Sequence, residues 1–433
     1  MSGAGLAIYS APLLVIWALY LGHRHKVERR NIATRDAAVA AGLTEPASLH
    51  PVVDPKLCIG CGSCTAACPE HGILGLIRGK AQLVNPTKCI GHGACKTSCP
   101  VGAITLVFGT ERRGVDIPIV GPDFQADVPG IFIAGELGGM GLIRNAIEQG
   151  RQAIDAIRKL AGIGQPDMLD VVIVGAGPAG FSSTLAAMEH GLRAVTVEQD
   201  SLGGTVSHYP RGKLVMTAPA KLPLYGKVKF TETDKEALLD FWHEVEAKTG
   251  ARVNYKERVE AIRKIDRGFE VQTSRESYVT RAVLLAIGRR GTPRKLDVPG
   301  ENLAKVVYRL IDPAQYQGQE VLVVGGGDSA LEVAISIAEE ADTTVTISYR
   351  GDAFSRTKEK NRQKIADAEA AGRLRVLLRS NVVKIDEGAV EIDHDGTPLR
   401  LPNDAVIVCA GGILPTAFLK SIGITVETKY GTA

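Results

Sequence analysis

Cysteine is nearly missing from most of this chain. Of the eight cysteines in 433 residues, seven fall between Cys58 and Cys99, and the eighth is Cys409. A disulfide scaffold spreads its cysteines through the fold, so this distribution excludes one; a tight group inside a long chain points to metal ligation in a reducing compartment. An excess of one charge is also missing: 51 lysines and arginines face 48 aspartates and glutamates, a formal net charge of +3. No basic field for nucleic acid results. The histidines offer no nucleophile–base pattern, His208 and His243 included, so hydrolysis has no support. What is present is globular: 45% apolar and 23% charged residues with 48 glycines, or about 11% glycine against a usual ~7%. The length fits about three domains.

The stretch from Gly5 to Gly22 carries no charge and is rich in leucine, isoleucine and aromatic residues, with Arg24, Lys26, Arg29 and Arg30 directly after it. No basic residue precedes the apolar run, which argues against a cleaved secretory signal. The run is near the lower length limit for a bilayer-spanning helix. It reads as a single-pass anchor in the cytoplasmic membrane, the basic flank holding the rest of the chain on the cytoplasmic side. Residues 31–50 read as a polar stalk.

The cysteines follow a strict frame. Cys58-Ile-Gly-Cys61-Gly-Ser-Cys64-Thr-Ala-Ala-Cys68-Pro69 is C-x2-C-x2-C-x3-C-P, the bacterial spacing for 4Fe-4S ligation, whose fourth cysteine serves a second cluster. Glycines between the first ligands permit the tight wrap, whereas zinc ordinarily takes two separated pairs. The second run, Cys89-Ile-Gly-His92-Gly-Ala-Cys95-Lys-Thr-Ser-Cys99-Pro100, keeps the frame with histidine at the second ligand position. Three outcomes stay open there: a nitrogen ligand that raises the potential, a three-iron cluster, or no second cluster.

Asp170-Val-Val-Ile-Val-Gly175-Ala-Gly177-Pro-Ala-Gly180 is an apolar strand running into GxGxxG, followed by a helical stretch and a strand ending at Glu198. Gly175 makes the turn, Gly177 lets the backbone approach a pyrophosphate at a helix N-terminus, Gly180 permits helix-on-strand packing, and Glu198 suits ribose hydroxyls. Glu320-Val-Leu-Val-Val-Gly325-Gly-Gly327-Asp328-Ser329-Ala330 repeats the pattern. No acid stands at the end of its next strand; Arg350 and Arg356 follow instead, which suits a 2′-phosphate and so favours NADP, with NAD still possible.

The paired cysteine runs resemble a two-cluster ferredoxin over residues 50–108. That resemblance implies crossed ligation, one cluster on Cys58, Cys61, Cys64 and Cys99 and another on Cys89, Cys95 and Cys68 with His92. The two glycine motifs, with the runs Val283–Pro293 and Val406–Pro415, resemble the thioredoxin-reductase-like flavoproteins of the disulfide-reductase and ferredoxin-NADP-reductase branches over residues 168–433. The implied fold is α/β, two Rossmann-like dinucleotide-binding domains in three layers, with a small α+β ferredoxin-like domain. In that family a C-terminal strand and helix complete the FAD site. Here a matching segment, Asp127-Val-Pro-Gly130-Ile-Phe-Ile-Ala-Gly135-Glu136 followed by Arg144-Asn145-Ala146, precedes the first glycine motif. The flavoprotein therefore reads as circularly permuted, or as exchanging this element with a second copy in a homodimer. Gly135 and Glu136 are expected at the ribityl chain of FAD and Arg144–Ala146 at the helix under its ring.

The expected divisions are 1–30 (anchor and basic flank), 31–50 (stalk), 51–108 (ferredoxin-like), 109–165 (permuted element), 166–290 (FAD-binding), 291–400 (NAD(P)-binding) and 401–433 (return to the FAD domain). The redox CxxC of thioredoxin reductases has no counterpart, since residues 169–408 lack cysteine. The expected function is a membrane-anchored oxidoreductase passing electrons between NAD(P)H and an electron-transfer protein or membrane redox partner. FAD and the clusters carry the electrons, and no side chain is assigned as general base because hydride transfer rests on stacking. Two alternatives are an NADPH-dependent reductase of a low-molecular-weight disulfide or quinone, and a non-catalytic redox sensor or electron-transfer subunit. The run Lys358–Lys364 reads as a solvated helix face.

Overall fold

The computed structural model describes residues 3–431 apart from 42, 45, 47, 48, 90, 92, 112, 113, 140, 141, 210–213, 217–219, 229–231, 290 and 356; residues 3–11, 214, 216, 220, 232 and 292 are described by backbone alone. The chain divides into two compact units, one of residues 1–114, 353–359 and 429–433, the other of residues 115–352 and 360–428.

In the first unit, strand His50–Val53 pairs antiparallel with Ile104–Val107, and Leu74–Ile77 forms a hairpin with Lys80–Leu83. A short helix lies within each cysteine run, Ser63–Ala67 and Ala94–Thr97. The two runs turn alike because their glycines take the same left-handed conformation, φ 71° and 79° at Gly60 and Gly62 against 80° and 77° at Gly91 and Gly93. Side chains avoid that region for steric reasons.

The N-terminal residues form one helix, Gly3–Ala40, running through Pro12 and the basic flank. No helix among the described residues is long and apolar enough to cross a membrane. This overturns the anchor expected over Gly5–Gly22 and, with it, the cytoplasmic-membrane location. The uncharged run is short and diluted by Gly5, Ser10, Pro12 and Gly22; the side chains of Leu6 and Ile8 lie outside the described residues. Nor does a polar stalk start at residue 31. The helix continues and docks on the hairpin: Asn31 Nδ2 donates to the Leu76 carbonyl at 3.0 Å, the Arg78 N–H donates to Glu28 Oε1 at 2.6 Å, and Arg35 reaches Gln82 Oε1 at 3.4 Å.

The second unit is built on two large sheets, with smaller ones beside them. In the first, the strands lie in the order Asn254–Tyr255, Ala194–Glu198, Leu169–Val174, Ser277–Leu285, Gly268–Thr273 and Val259–Ile265. The end of the central strand is flanked on both sides by parallel neighbours, Val283 pairing with Val172 and with Ile131 of strand Ile131–Ile133. Alternation along that short strand divides the core. Phe132 packs with Ile154 and Ile157 under helices Ile143–Ile157 and Pro178–Glu189. Ile131 and Ile133 face the opposite layer with Val172, Leu419 and Ile424. Each of the three is 1% exposed, and burial of such a side chain contributes about 1.5–3 kcal/mol.

The second sheet is parallel throughout, ordered Val306–Val307, Ala405–Val408, Glu320–Val324, Thr344–Ser348 and Leu374–Leu377. It thus takes a strand from beyond residue 400. The last strand, Val426–Lys429, pairs with Val115–Pro118, where Thr428 Oγ1 donates to Asp116 Oδ1 at 2.7 Å and the Ile119 N–H donates to the Thr425 carbonyl at 3.0 Å.

Candidate functional site

The thiols of the first unit stand around two cavities. Cys58, Cys61, Cys64 and Cys99 line one, with Ile59, Val101 and Ile104 among their neighbours; Cys68, Cys89 and Cys95 line the other, with Gly91, Gly93 and Leu106. His92 lies outside the described residues. Among the described residues, no three His, Cys, Asp or Glu side chains close on one point as ligands of a single ion do. The thiols line enclosed space, as a polynuclear cluster requires. Backbone N–H groups also aim at sulfur, from Ala103 to Cys99 Sγ at 3.2 Å and from Ala81 to Cys58 Sγ at 3.5 Å. Burial pushes the Cys89 thiol up to about 11 and also raises Cys64, Cys68 and Cys95. Cys61 is exposed, and the Ser63 hydroxyl 3.4 Å away holds its thiol below the ordinary value. This donor set fits iron–sulfur clusters.

The first glycine turn is built by close contacts. A Cβ on Gly175, φ 101°, would stand 2.7 Å from the Ala286 carbonyl oxygen, and one on Gly180 would stand 1.8 Å from that of Gly175. Gly177 begins helix Pro178–Glu189 with no side-chain cap, and Leu142 begins helix Ile143–Ile157 in the same way, so both first turns leave backbone N–H groups open. The two helix starts meet at Gly135, whose Cβ would lie 3.0 Å from that of Ala179 and 3.7 Å from that of Ala146. Glu136 and Arg144 are exposed beside it and Asn145 is half-buried. Two open helix starts and a glycine cradle at one place fit a dinucleotide diphosphate.

Glu198 is 6% exposed, with Oε2 accepting the Ala176 N–H at 2.7 Å and Oε1 the Asp200 N–H at 2.8 Å. Burial raises its carboxyl above the usual range against the pull of those bonds. Its immediate work is therefore to fix the glycine turn, a role that the spacing alone does not disclose.

At the second turn, a Cβ on Gly325 would meet the Cys409 carbonyl oxygen at 2.4 Å, and the Tyr349 ring covers Gly326. Gly327 starts helix Asp328–Ala338, again without a side-chain cap. Asp328 Oδ1 accepts from Asn361 Nδ2 at 2.8 Å, and Asn361 also reaches Glu332 at 3.1 Å. Ser329 and Arg350 are exposed; Arg356 lies outside the described residues. The segment read as a solvated face thus contributes a buried residue, Asn361. Tertiary packing, invisible to a charge pattern, decides this.

Two further residues escaped the sequence reading. Gln149 Oε1 accepts the Gly135 N–H at 2.8 Å, and Arg289 donates to the Asp116 carbonyl at 2.9 Å. Burial lowers the Arg289 guanidinium while the charges of Glu136 and Asp116 raise it. Ala146, Gly150 and Ala153, small residues at helical spacing, are the one signal for the helix contact that places Gln149.

The sequence profile described as pyridine nucleotide-disulphide oxidoreductase matches residues 172–432, and that of the 4Fe-4S dicluster domain matches residues 50–100. The chain is 28% identical over 266 residues to a ferredoxin–NADP reductase of Ignicoccus hospitalis, covering 60% of this chain and 83% of that protein. It is 27% identical over 268 residues to bacilliredoxin reductase Bdr of Bacillus subtilis, covering 60% of this chain and 82% of that one. Among solved structures, bacillithiol disulfide reductase Bdr (YpdA) from Staphylococcus aureus aligns with a TM-score of 0.54 at 24% identity, over 59% of this chain and 80% of its own. That likeness is one of fold.

Proposed function

The chain belongs to the pyridine nucleotide-disulphide oxidoreductase family, an enzyme class that uses FAD and NADP, here joined to a 4Fe-4S domain; from that premise we propose that it carries electrons between NADPH and a one-electron redox partner protein. The observation that carries this reading is the division of the thiols between two cavities, four around one and three around the other. Residues 169–408 hold no cysteine for a dithiol relay. When bound, FAD exchanges hydride with a nicotinamide and single electrons with iron–sulfur clusters.

In this reading Gly175, Gly177, Gly180, Glu198, Gly135, Glu136 and Arg144–Ala146 hold FAD, the helix starts at Gly177 and Leu142 supplying amide donors. Gly325, Gly327, Asp328, Ser329, Arg350 and Arg356 hold NADP. Cys58, Cys61, Cys64 and Cys99 hold one cluster, and Cys68, Cys89, Cys95 and His92 the other site. The ferredoxin-like residues 51–108 pass single electrons on to the partner protein. The flavoprotein order is permuted within the chain; the pairing of Ile131–Ile133 with Val283–Leu285, and of Val426–Lys429 with Val115–Pro118, supports this.

The test compares the wild-type chain with Cys64→Ala. NADPH should reduce the flavin in both, while electron delivery to a one-electron acceptor protein is lost in the variant. Unchanged delivery by Cys64→Ala overturns the reading. Reduction of a small thiol disulfide by the variant at the wild-type rate supports a disulfide reductase instead.

A further inference from the structure

We infer that the cavity of Cys58, Cys61, Cys64 and Cys99 is the port at which single electrons leave this chain, and that Leu57, Ile59 and Val101 form the collar on which a carrier protein docks. The inference rests on the electron-transfer reading above and adds which cavity meets the outside. Cys61 is an exposed thiol and Cys99 a half-buried one, whereas Cys68, Cys89 and Cys95 are 4%, 8% and 5% exposed. Leu57, Ile59 and Val101 are 53%, 64% and 40% exposed. Single exposed apolar side chains are ordinary on a protein surface, but these three sit in the very loops that present the ligands.

The internal repeat supplies the contrast. Leu57 directly precedes Cys58, and Val101 follows Cys99-Pro100; at the same places in the other half the chain has Lys88 before Cys89 and Glu70 after Cys68-Pro69. Lys88 is tied up in an ion pair with Glu359. The two halves fold alike yet differ at two of the three collar positions, Leu57 and Val101 against Lys88 and Glu70, while Ile59 is matched in the sequence by Ile90. A small apolar patch over an open thiolate ligand suits a brief encounter with a carrier whose own redox group lies under an uncharged face; such contacts bury under about 1,200 Å². The transfer balances simply: one electron leaves the chain and reduces the carrier's centre by one, with no bond or proton moved, and oxidation of NADPH replenishes it.

The experiment uses the full-length holoprotein under anaerobic conditions, a two-cluster ferredoxin as carrier and ferricyanide as small oxidant. Both the carrier affinity, by titration calorimetry, and the stopped-flow rate of transfer are read. Leu57→Ser and Val101→Ser are each expected to weaken carrier binding and slow transfer about tenfold, while ferricyanide is reduced as before. Lys88→Ser and Glu70→Ser should change neither. Low-temperature EPR of each reduced variant separates loss of a cluster from loss of docking, and Leu57→Gln replaces any variant that loses one. Equal carrier behaviour in all four variants, or a defect confined to Lys88→Ser and Glu70→Ser, overturns the inference. A wild-type chain whose flavin is reduced but which passes no electron to ferredoxin or ferricyanide overturns the reading beneath it.

Discussion

Gly150 and Ala179 hold two helices at backbone contact: a Cβ at position 150 would stand 2.1 Å from the Ala179 carbonyl oxygen and 2.8 Å from Ser183 Oγ. Ser182 Oγ closes the same seam by donating to the Ile147 carbonyl at 2.8 Å. In an isolated helix Gly150→Ala would gain about 1 kcal/mol. Here the clash is with backbone, which cannot rotate away, so the substitution should destabilise by about 1–3 kcal/mol. Because Ala179 lies within the glycine motif, in the first turn of helix Pro178–Glu189, FAD affinity should fall as well. Thermal unfolding of the apo-chain and a flavin titration check both; a gain in stability would show that the helices do not meet.

Glu198→Ala leaves two backbone donors, the N–H groups of Ala176 and Asp200, without their acceptor. A buried donor stripped of its partner costs about 1–3 kcal/mol. Urea unfolding of the apo-chain should therefore show the loss even with no flavin present. A variant as stable as wild type, altered only in flavin affinity, would mean that the carboxylate serves the ligand and not the turn.

The cavity linings separate two cysteines of one motif. Cys64→Ala should remove the EPR signal of the site shared with Cys99, whereas Cys68→Ala should spare it and damage the site of Cys89 and Cys95. Iron counts on purified variants read the same partition. If Cys64→Ala and Cys68→Ala empty the same site, ligation is not crossed.

Acid should expose the Asp200–Lys256 pair. Asp200 is held below the ordinary carboxylate range, first by the Lys256 ammonium 2.6 Å away and further by His208 and Arg309. A carboxyl lowered in the folded state stabilises above its unfolded value of about 3.9 and loses that contribution as pH falls through the folded one. Lys256 is 66% exposed, so the contribution is under about 1 kcal/mol and weakens in salt. Between pH 5 and pH 3, wild type should lose slightly more stability to urea than Lys256→Met. A larger loss in the variant would assign the acid sensitivity to other groups.

The strand–turn–helix units at Leu169–Glu189 and Glu320–Ala338 are legible in the sequence, because glycine spacing and apolar strands state a local geometry. Contacts between distant polar residues are not. Nothing in the letters around Asn31 or Asn361 marks one as a partner of the Leu76 carbonyl and the other of Asp328. Arg289 looked like part of a family signature, and only the fold brings it to Asp116. The N-terminal run misled for a different reason. Uncharged residues near the length limit of a span are equally the start of a longer helix, and composition alone does not separate the two.

The bonds from Glu28 and Asn31 to the hairpin Leu74–Leu83 bear on how this molecule is dissected. The Arg78 N–H and the Leu76 carbonyl take their partners from the long helix, and the same hairpin steadies Cys58 through Lys80 Nζ on its carbonyl at 2.6 Å. An excised fragment beginning at residue 50 would surrender those contacts to water and slacken the wall behind Cys58. Grafting the iron-binding part onto another reductase should therefore carry along the helix from at least Glu28, even though no motif marks those residues as belonging to it.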